Sequence, residues 1–286
     1  MDKIKILVTG STGFIGSNLC KRLEDNKAIY IAISSNFGNI AEEETWNKIP
    51  PVDVVIHLAS LTSVSESWNN TYQFLKTNCL STTLALEYCK KNNSKLIFLS
   101  SYLYGTPLSL PIAENFKVEP TNPYAVTKMV SEEICKFYHE HFNLNIIILR
   151  PFNVYGPNQG SNFLIPTIIN QIQNQEKIIV KDLFPKRDYV YIDDLIDAII
   201  ESIKTVNNEF LIFNIGSGKS YSVSEIIQII QNCLGTNKVI ESLMERRTGE
   251  IMDTVADISK AEFFLKWQPK WSIELGINAI ISELSY

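Results

Sequence analysis

Residues 4–16 read Ile-Lys-Ile-Leu-Val-Thr-Gly-Ser-Thr-Gly-Phe-Ile-Gly. An apolar β-run passes directly into Gly10, Gly13 and Gly16, and then into the helical pattern Phe14, Ile15, Leu19, Leu23. A parallel strand that ends in a tight turn before a helix leaves free N–H groups at the helix start. With the positive end of the helix dipole, they make a site for a pyrophosphate. Gly10 permits the turn, Gly13 admits the phosphates to the backbone, and Gly16 lets helix and strand pack closely. Thr12, Phe14 and Ile15 belong to the same cradle. Its place after a strand and before a helix makes this triplet more specific than its spacing alone.

Alternation continues over the first 150 residues. Strands are predicted at 4–8, 29–33, 52–58, 95–100 and 145–150, and helices at 14–24, 71–91 and 123–141. Several strands are apolar on both faces, as a buried parallel sheet requires. The alternation implies a doubly wound sheet covered by helices on both sides. After Arg150-Pro151 the rhythm breaks. A helix is expected from Pro166 to about Gln175, a strand at 188–192, a helix at 193–204 and a strand at 211–215. Ser222 or Ser224 caps a helix over 225–234, and helices fill most of 257–283. The division expected is a dinucleotide-binding domain over 1–152, rejoined by late elements from 188–215. A smaller lobe takes 153–187 and 216–286.

Bulk properties exclude more than they assign. The chain has 286 residues and a net charge of −5, which suits neither nucleic acid nor an anionic membrane. No apolar run reaches the roughly 18 residues of a spanning helix. The N-terminal stretch reads as a strand rather than a signal peptide. Cys20, Cys79, Cys89, Cys135 and Cys233 are odd in number and irregularly spaced, and read as reduced, mostly buried thiols of a cytoplasmic protein. No metal is expected.

Tyr124-Ala-Val-Thr-Lys128 is the second informative stretch. Asn122-Pro123 is a good helix start, so Tyr124 and Lys128 share a face one turn apart. An ammonium near a phenol favours the phenolate and lowers its pKa, which suits a carbonyl/alcohol interconversion. Ser100 ends the strand 95–100 on the side where ligands of open α/β sheets bind, with Ser101 beside it.

With these motifs, the chain resembles the extended short-chain dehydrogenase/reductases of the nucleotide-sugar epimerase/dehydratase family. The resemblance rests on Thr9–Gly16, Val55-Ile-His-Leu-Ala59, Asn78 with Thr82, Ser100–Gly105 and Tyr124-x-x-x-Lys128. It continues through Arg150–Pro157, Arg187–Asp194, Phe213–Gly218, Arg246–Glu250 and Ala256–Lys260. It implies an α/β fold: a Rossmann-like doubly wound parallel sheet with a smaller α+β C-terminal substrate lobe. It also implies roles. Tyr124 is the acid/base, Lys128 holds the nicotinamide ribose, and Ser100 bonds the reacting oxygen, with Ser101 taking over if the register slips by one. Leu58, Ala59 and Asn78 lie along the cofactor, and Ser34 and Ser35 meet its adenosine ribose. Asn153, Asn162 and Phe163 meet the nucleotide diphosphate. Arg187 and Arg247 clamp it, unless Arg187 pairs with Asp188 or Asp193, or Arg246 replaces Arg247. A homodimer built on helices 71–91 and 123–141 is implied as well.

Departures narrow the subtype. Ser101 and Tyr102 stand where the family's dehydratases carry Asp-Glu, so 4,6-dehydration is not expected. The second strand ends Ser34-Ser35-Asn36, without the carboxylate of NAD-preferring members and without an arginine. The cofactor is therefore NAD(P), with NADP(H) slightly favoured. The stretch 37–51 does not match the strand expected beside the adenine. Short loops resemble reductases of 4-ketosugar nucleotides. The function expected first is reduction of a 4-keto-6-deoxyhexose nucleotide. The alternatives are a nucleotide-sugar 4-epimerase with bound NAD and, behind both, a non-catalytic dinucleotide-binding regulator or a dehydrogenase of a small substrate.

Overall fold

The computed structural model describes residues 4–205, 209–245 and 249–284. The chain opens with β1 (Lys5–Thr9), α1 (Phe14–Asp25) and β2 (Ile29–Ile33), followed by α2 (Glu43–Asn47) and β3 (Val54–His57). Then α3 (Val64–Asn69) and α4 (Thr71–Phe74) lead through a π-helical turn, Leu75–Cys79, into α5 (Leu80–Asn92). Next come β4 (Lys95–Leu99), α6 (Pro123–Phe142), β5 (Ile146–Pro151), β6 (Asn153–Tyr155), α7 (Leu164–Asn174) and β7 (Lys177–Val180). The rest is β8 (Lys186–Tyr191), α8 (Ile192–Lys204), β9 (Phe210–Ile215), β10 (Ser220–Ser222), α9 (Val223–Leu234), β11 (Val239–Ser242), α10 (Ser259–Leu265) and α11 (Ile273–Leu284).

Six strands form one sheet in the order β2-β1-β3-β4-β5-β9, with every neighbouring pair parallel. The order reverses at β1 and β3, which opens a crevice above their carboxyl ends. Side-chain alternation divides the core in two. Ile6, Val8, Ile97, Leu99, Ile147 and Leu149 pack with Leu19 and Leu23 of α1 and Leu195 and Ile199 of α8. Leu7, Val55, Leu96, Phe98, Ile146 and Ile148 pack with Leu86 and Cys89 of α5 and Cys135 and Tyr138 of α6. The first of these clusters continues into Ile168 of α7, Ile227 of α9 and Ile277 of α11, so sheet and C-terminal lobe share one core.

Three details differ from the sequence reading, and one fills a stretch that reading left open. The 71–91 helix is broken by the π-helical turn, where Ser81 and Thr82 hydroxyls bond the Asn78 carbonyl. Of the segment 188–215, β9 enters the main sheet, but β8 pairs with β6 and β10 in a separate three-stranded sheet. The stretch 37–51 holds α2 in place of a strand. Its anchor is buried Trp46, whose Nε1 donates to the Ile40 carbonyl at 2.9 Å, and β2 is left as the sheet edge. All five cysteines are free, but only Cys89 and Cys135 are buried; the other three are half-buried.

Candidate active site

The glycine turn lies at the reversal point. The Thr9 hydroxyl oxygen accepts from the backbone N–H of Leu58 (3.2 Å) and Ala59 (3.1 Å), and lies 2.9 Å from His57 Nδ1. This lashes the ends of β1 and β3 together. Gly10 has φ 70°, and a Cβ there would lie 2.8 Å from Ala59 N. A Cβ on Gly16 would stand 2.1 Å from the Gly10 carbonyl oxygen, so helix and turn tolerate no side chain. Gly13 is different. Its φ is −74°, and a Cβ would meet only the Gly10 oxygen at 3.4 Å. A side chain at Gly13 would instead fill the space over the first turn of α1. No side chain caps that helix end, and its first N–H groups have no intrahelical acceptor. Exposed Thr12 and Gly13, with half-buried Phe14 and Ile15 behind them, therefore form a cradle that fits a dinucleotide pyrophosphate. Beyond β2, Ser34 is half-buried, Ser35 is exposed, and Asn36 N lies 3.4 Å from Ser34 Oγ.

Asn78 does not lie open to the crevice. It is buried and clamps the loop after β3 to α6. Its Oδ1 accepts from Leu61 N at 2.8 Å, and its Nδ2 donates to Leu61 O (3.0 Å) and Thr127 Oγ1 (2.9 Å).

The start of α6 is fixed by Asn122, whose Oδ1 accepts from Ala125 N at 2.9 Å with Pro123 in the first turn. Lys128 is buried under Tyr124. Its Nζ donates to the Leu99 carbonyl at 2.8 Å, 6.0 Å from the Tyr124 ring centroid and 4.9 Å from that of Phe98. Burial lowers Lys128 to about 8, and the nearby Glu132 carboxylate leads the groups that oppose the fall. Tyr124 is pushed up to about 12 by burial, with a hydrogen bond from Ser101 working the other way. The expected lowering of the phenol by Lys128 is thus not what dominates. The ammonium is drawn to a backbone carbonyl, and desolvation outweighs it.

Ser100 is placed elsewhere. Its Oγ donates to Glu132 Oε1 at 2.5 Å, and Ser101 is the serine whose hydroxyl favours the Tyr124 phenolate. Strand alternation accounts for Ser100, and Ser101 lies past the end of β4, where alternation no longer holds. Phe98 faces α5 and α6, Leu99 faces α1 and α8, and Ser100, still bonded to Leu149 O through its N–H (2.8 Å), turns back toward α6. Glu132 also holds Arg150, through Nε at 2.9 Å and Nη2 at 2.5 Å, and Arg150 donates to the Tyr104 hydroxyl at 2.8 Å.

Arg187 stands on β8, within reach of Tyr102 by its charge. It pairs with Glu250 and donates to the Ile251 carbonyl at 2.6 Å. Neither aspartate weighed from the sequence is its partner. Asp188 is buried and accepts from Ser217, Gly218 and Ala256, while Asp193 pairs with Arg22. Asn153 Nδ2 donates to the Asp188 carbonyl at 3.1 Å, and Asn162 and Phe163 are exposed at the start of α7. Arg247 lies outside the described residues. Half-buried Tyr102 follows Ser101, packs edge-on to Phe152 (5.3 Å between centroids) and feels the charge of Arg187.

The profile of the NAD dependent epimerase/dehydratase family matches residues 6–216. The chain belongs to this family. It is 34% identical to a putative UDP-glucose 4-epimerase of Methanocaldococcus jannaschii, over 97% of each chain. Among solved structures, a UDP-glucose 4-epimerase of Thermotoga maritima, determined with UDP-glucose, superposes with a TM-score of 0.91 at 27% identity, over 99% of each chain. RMD of Pseudomonas aeruginosa, complexed with NADPH, superposes with a TM-score of 0.90 at 25% identity, over 98% of each chain.

The family and the fold expected from the sequence are therefore borne out, and the chain is an enzyme of the NAD dependent epimerase/dehydratase family. Sequence reasoning passed over two residues that the structure sets beside or behind the Tyr124–Lys128 pair. Tyr102 was noted only as not being an acid. Glu132 is the other, although Tyr124, Lys128 and Glu132 follow one another at intervals of four residues and so share one helical face.

Proposed function

We propose that this enzyme is a 4-epimerase of a UDP-linked hexose that works with bound NAD. One observation carries the reading: buried Lys128 stands with its Nζ 6.0 Å from the Tyr124 ring, and Ser101 is the serine that acts on the phenol. On this reading Tyr124 removes the proton of the sugar O4 and later returns it, and Ser101 hydrogen-bonds the same oxygen. Lys128 keeps a cation beneath the phenol and holds the cofactor ribose, with Leu58 and Ala59 beside it. The dinucleotide supplies hydride acceptance and return at C4. Arg187, with Asn153, Asn162, Phe163 and Arg247, receives the nucleotide diphosphate; a guanidinium fork suits phosphate oxygens. No acid follows Ser101, so loss of the C6 hydroxyl is not expected.

The ketoreductase that the sequence placed first has less support than this alternative, since the relatives named above are a putative and a structurally defined UDP-glucose 4-epimerase. One observation keeps reduction as a second reading: the Ser34–Asn36 turn has no carboxylate to repel a 2′-phosphate, and one structural neighbour is complexed with NADPH. Incubation of the purified protein with UDP-glucose or UDP-galactose decides the matter. The epimerase interconverts them with no net change in NADH absorbance. Inertness toward both, with stoichiometric loss of NADPH on 4-keto nucleotide sugars, would replace it by the reductase.

A further inference from the structure

Glu132 sits at the centre of a buried polar cluster that the reaction itself does not use. Its carboxylate accepts from Ser100 Oγ (2.5 Å), Arg150 Nε (2.9 Å) and Arg150 Nη2 (2.5 Å), and the side chains of Glu132 and Arg150 are 6% and 4% exposed. The cluster extends from Arg150 to the Tyr104 hydroxyl (2.8 Å) and from there to Asn214 Oδ1 (2.6 Å). It therefore joins α6, the end of β4, β5 and β9.

We propose that Glu132 is a positioning residue for proton transfer: by fixing Ser100 against α6 it directs Ser101 to Tyr124, and it sets a carboxylate one helical turn beyond Lys128. The proposal rests on the reading of Tyr124 as the acid/base.

The argument has a geometric and an electrostatic part. Two consecutive hydroxyls follow β4, and either would serve as a hydrogen-bond donor in the crevice. Which one faces Tyr124 depends on what holds the other. The Arg150 fork locks the plane of the Glu132 carboxylate, and that carboxylate holds Ser100. A buried ion pair adds little net stability over an apolar pair of equal volume, so orientation is the distinctive contribution of these charges.

Electrostatically, Lys128 is surrounded by few charges. Glu132 and Cys135 face it from its own helix, Cys79 from the π-helical turn, His57 from the end of β3 and Tyr124 from the turn above. Burial disfavours its ammonium form, and Glu132 leads the groups that favour it. Glu132 in turn faces Arg150 from β5, with Tyr104 and Glu114 beyond, and Cys135 on α6.

The test uses the NAD-loaded protein, UDP-hexose interconversion and three variants. Glu132→Gln should lower kcat at least tenfold with KM changed less than threefold, and should move the alkaline limb of the pH profile to lower pH, because Lys128 loses its nearest carboxylate. Ser100→Ala, which removes one hydroxyl and leaves the ion pair, should lower kcat about tenfold without moving that limb. Glu132→Leu/Arg150→Met removes both charges and keeps the bulk of the pair. It should melt near the wild-type temperature and still turn over slowly. Wild-type kcat and an unmoved alkaline limb in the double variant, or wild-type kcat in Ser100→Ala, overturn the proposal. Tyr124→Phe is measured alongside. Full activity there would sink the acid/base reading itself, whatever Glu132 does.

Discussion

Ser100 and Ser101 are neighbours just past the end of β4, and the Glu132 carboxylate holds only the first. Ser101 carries the hydroxyl near the phenol, so Ser101→Ala should cut kcat by about 10²-fold or more, and Ser100→Ala by about tenfold. Equal losses in steady-state assays would mean that the two serines are not distinguished. His57 gives a second test at this scale. It is buried and its network fixes one neutral tautomer. Because Thr9 Oγ1 already accepts two N–H groups, its hydrogen goes to His57 Nδ1, and His57 Nε2 donates to Ser81 Oγ at 3.2 Å. Burial, helped by the Lys128 charge, lowers its pKa to about 3. Above about pH 6.5 the imidazole is neutral folded and unfolded, and contributes no pH dependence. Between pH 6.5 and 3 only the unfolded chain takes up the proton, so stability falls by up to about 1.4 kcal/mol per pH unit. Urea midpoints at pH 7 and pH 4 should therefore diverge more for wild type than for His57→Gln. The Tyr124–Lys128 pair was legible in sequence because helical spacing fixes a shared face. The serine register was not, because it depends on where a strand stops and on a buried Glu132–Arg150 pair distant in sequence.

Each element was legible to the extent that its periodicity is long. β1 and α1 are read from residues 4–16, and β3, β4 and β5 from apolar runs buried on both faces. β6, β10 and β11 have three or four residues each, too few for alternation to register. The 71–91 pattern gave a helix but not its π-helical turn, which is held by hydroxyl contacts to Asn78 rather than by apolar spacing. At the β1–α1 turn, two glycines should respond differently. Gly16→Ala forces a Cβ onto backbone and should destabilise the fold. Gly13→Ala meets no such clash, so its melting temperature should stay within a few degrees of wild type while its Kd for NAD rises at least tenfold. Calorimetric titration of both cofactors also tests the end of β2. Ser34→Asp should shift preference toward NAD(H) by repelling a 2′-phosphate and offering the ribose diol an acceptor. Unchanged preference would place the discriminating group outside this turn.

For the whole molecule, the continuous apolar cluster runs from the sheet into α7, α9 and α11, whereas α4, α5 and α6 also carry apolar residues that stay exposed. The sequence singled out Tyr72, Phe74, Leu84, Leu86, Tyr88, Ile134, Phe137 and Tyr138 as surplus apolar residues of these helices. Leu86, Tyr88 and Tyr138 are core, because α5 and α6 cover the sheet with them, and Phe74 at the end of α4 is buried as well. Tyr72 (76% exposed) and Phe137 (50%) are not, and Trp68, Leu75, Leu80 and Phe142 are exposed beside them in the same stretches of chain. Periodicity cannot separate a side chain turned to the sheet from one turned outward when both are apolar. A second copy of the chain, related by a two-fold axis, is the occupant that would cover such a face with its equal. A stable interface of this kind buries upwards of about 1,000 Å². Light scattering at micromolar concentration should then give twice the 32.5 kDa chain mass. Tyr72→Glu with Leu80→Glu should halve that value while the proton-transfer residues Tyr124 and Lys128, which neither substitution touches, keep their activity. A wild-type protein that scatters as a single chain would leave the outward apolar residues as ordinary surface, and the dimer would have to be abandoned.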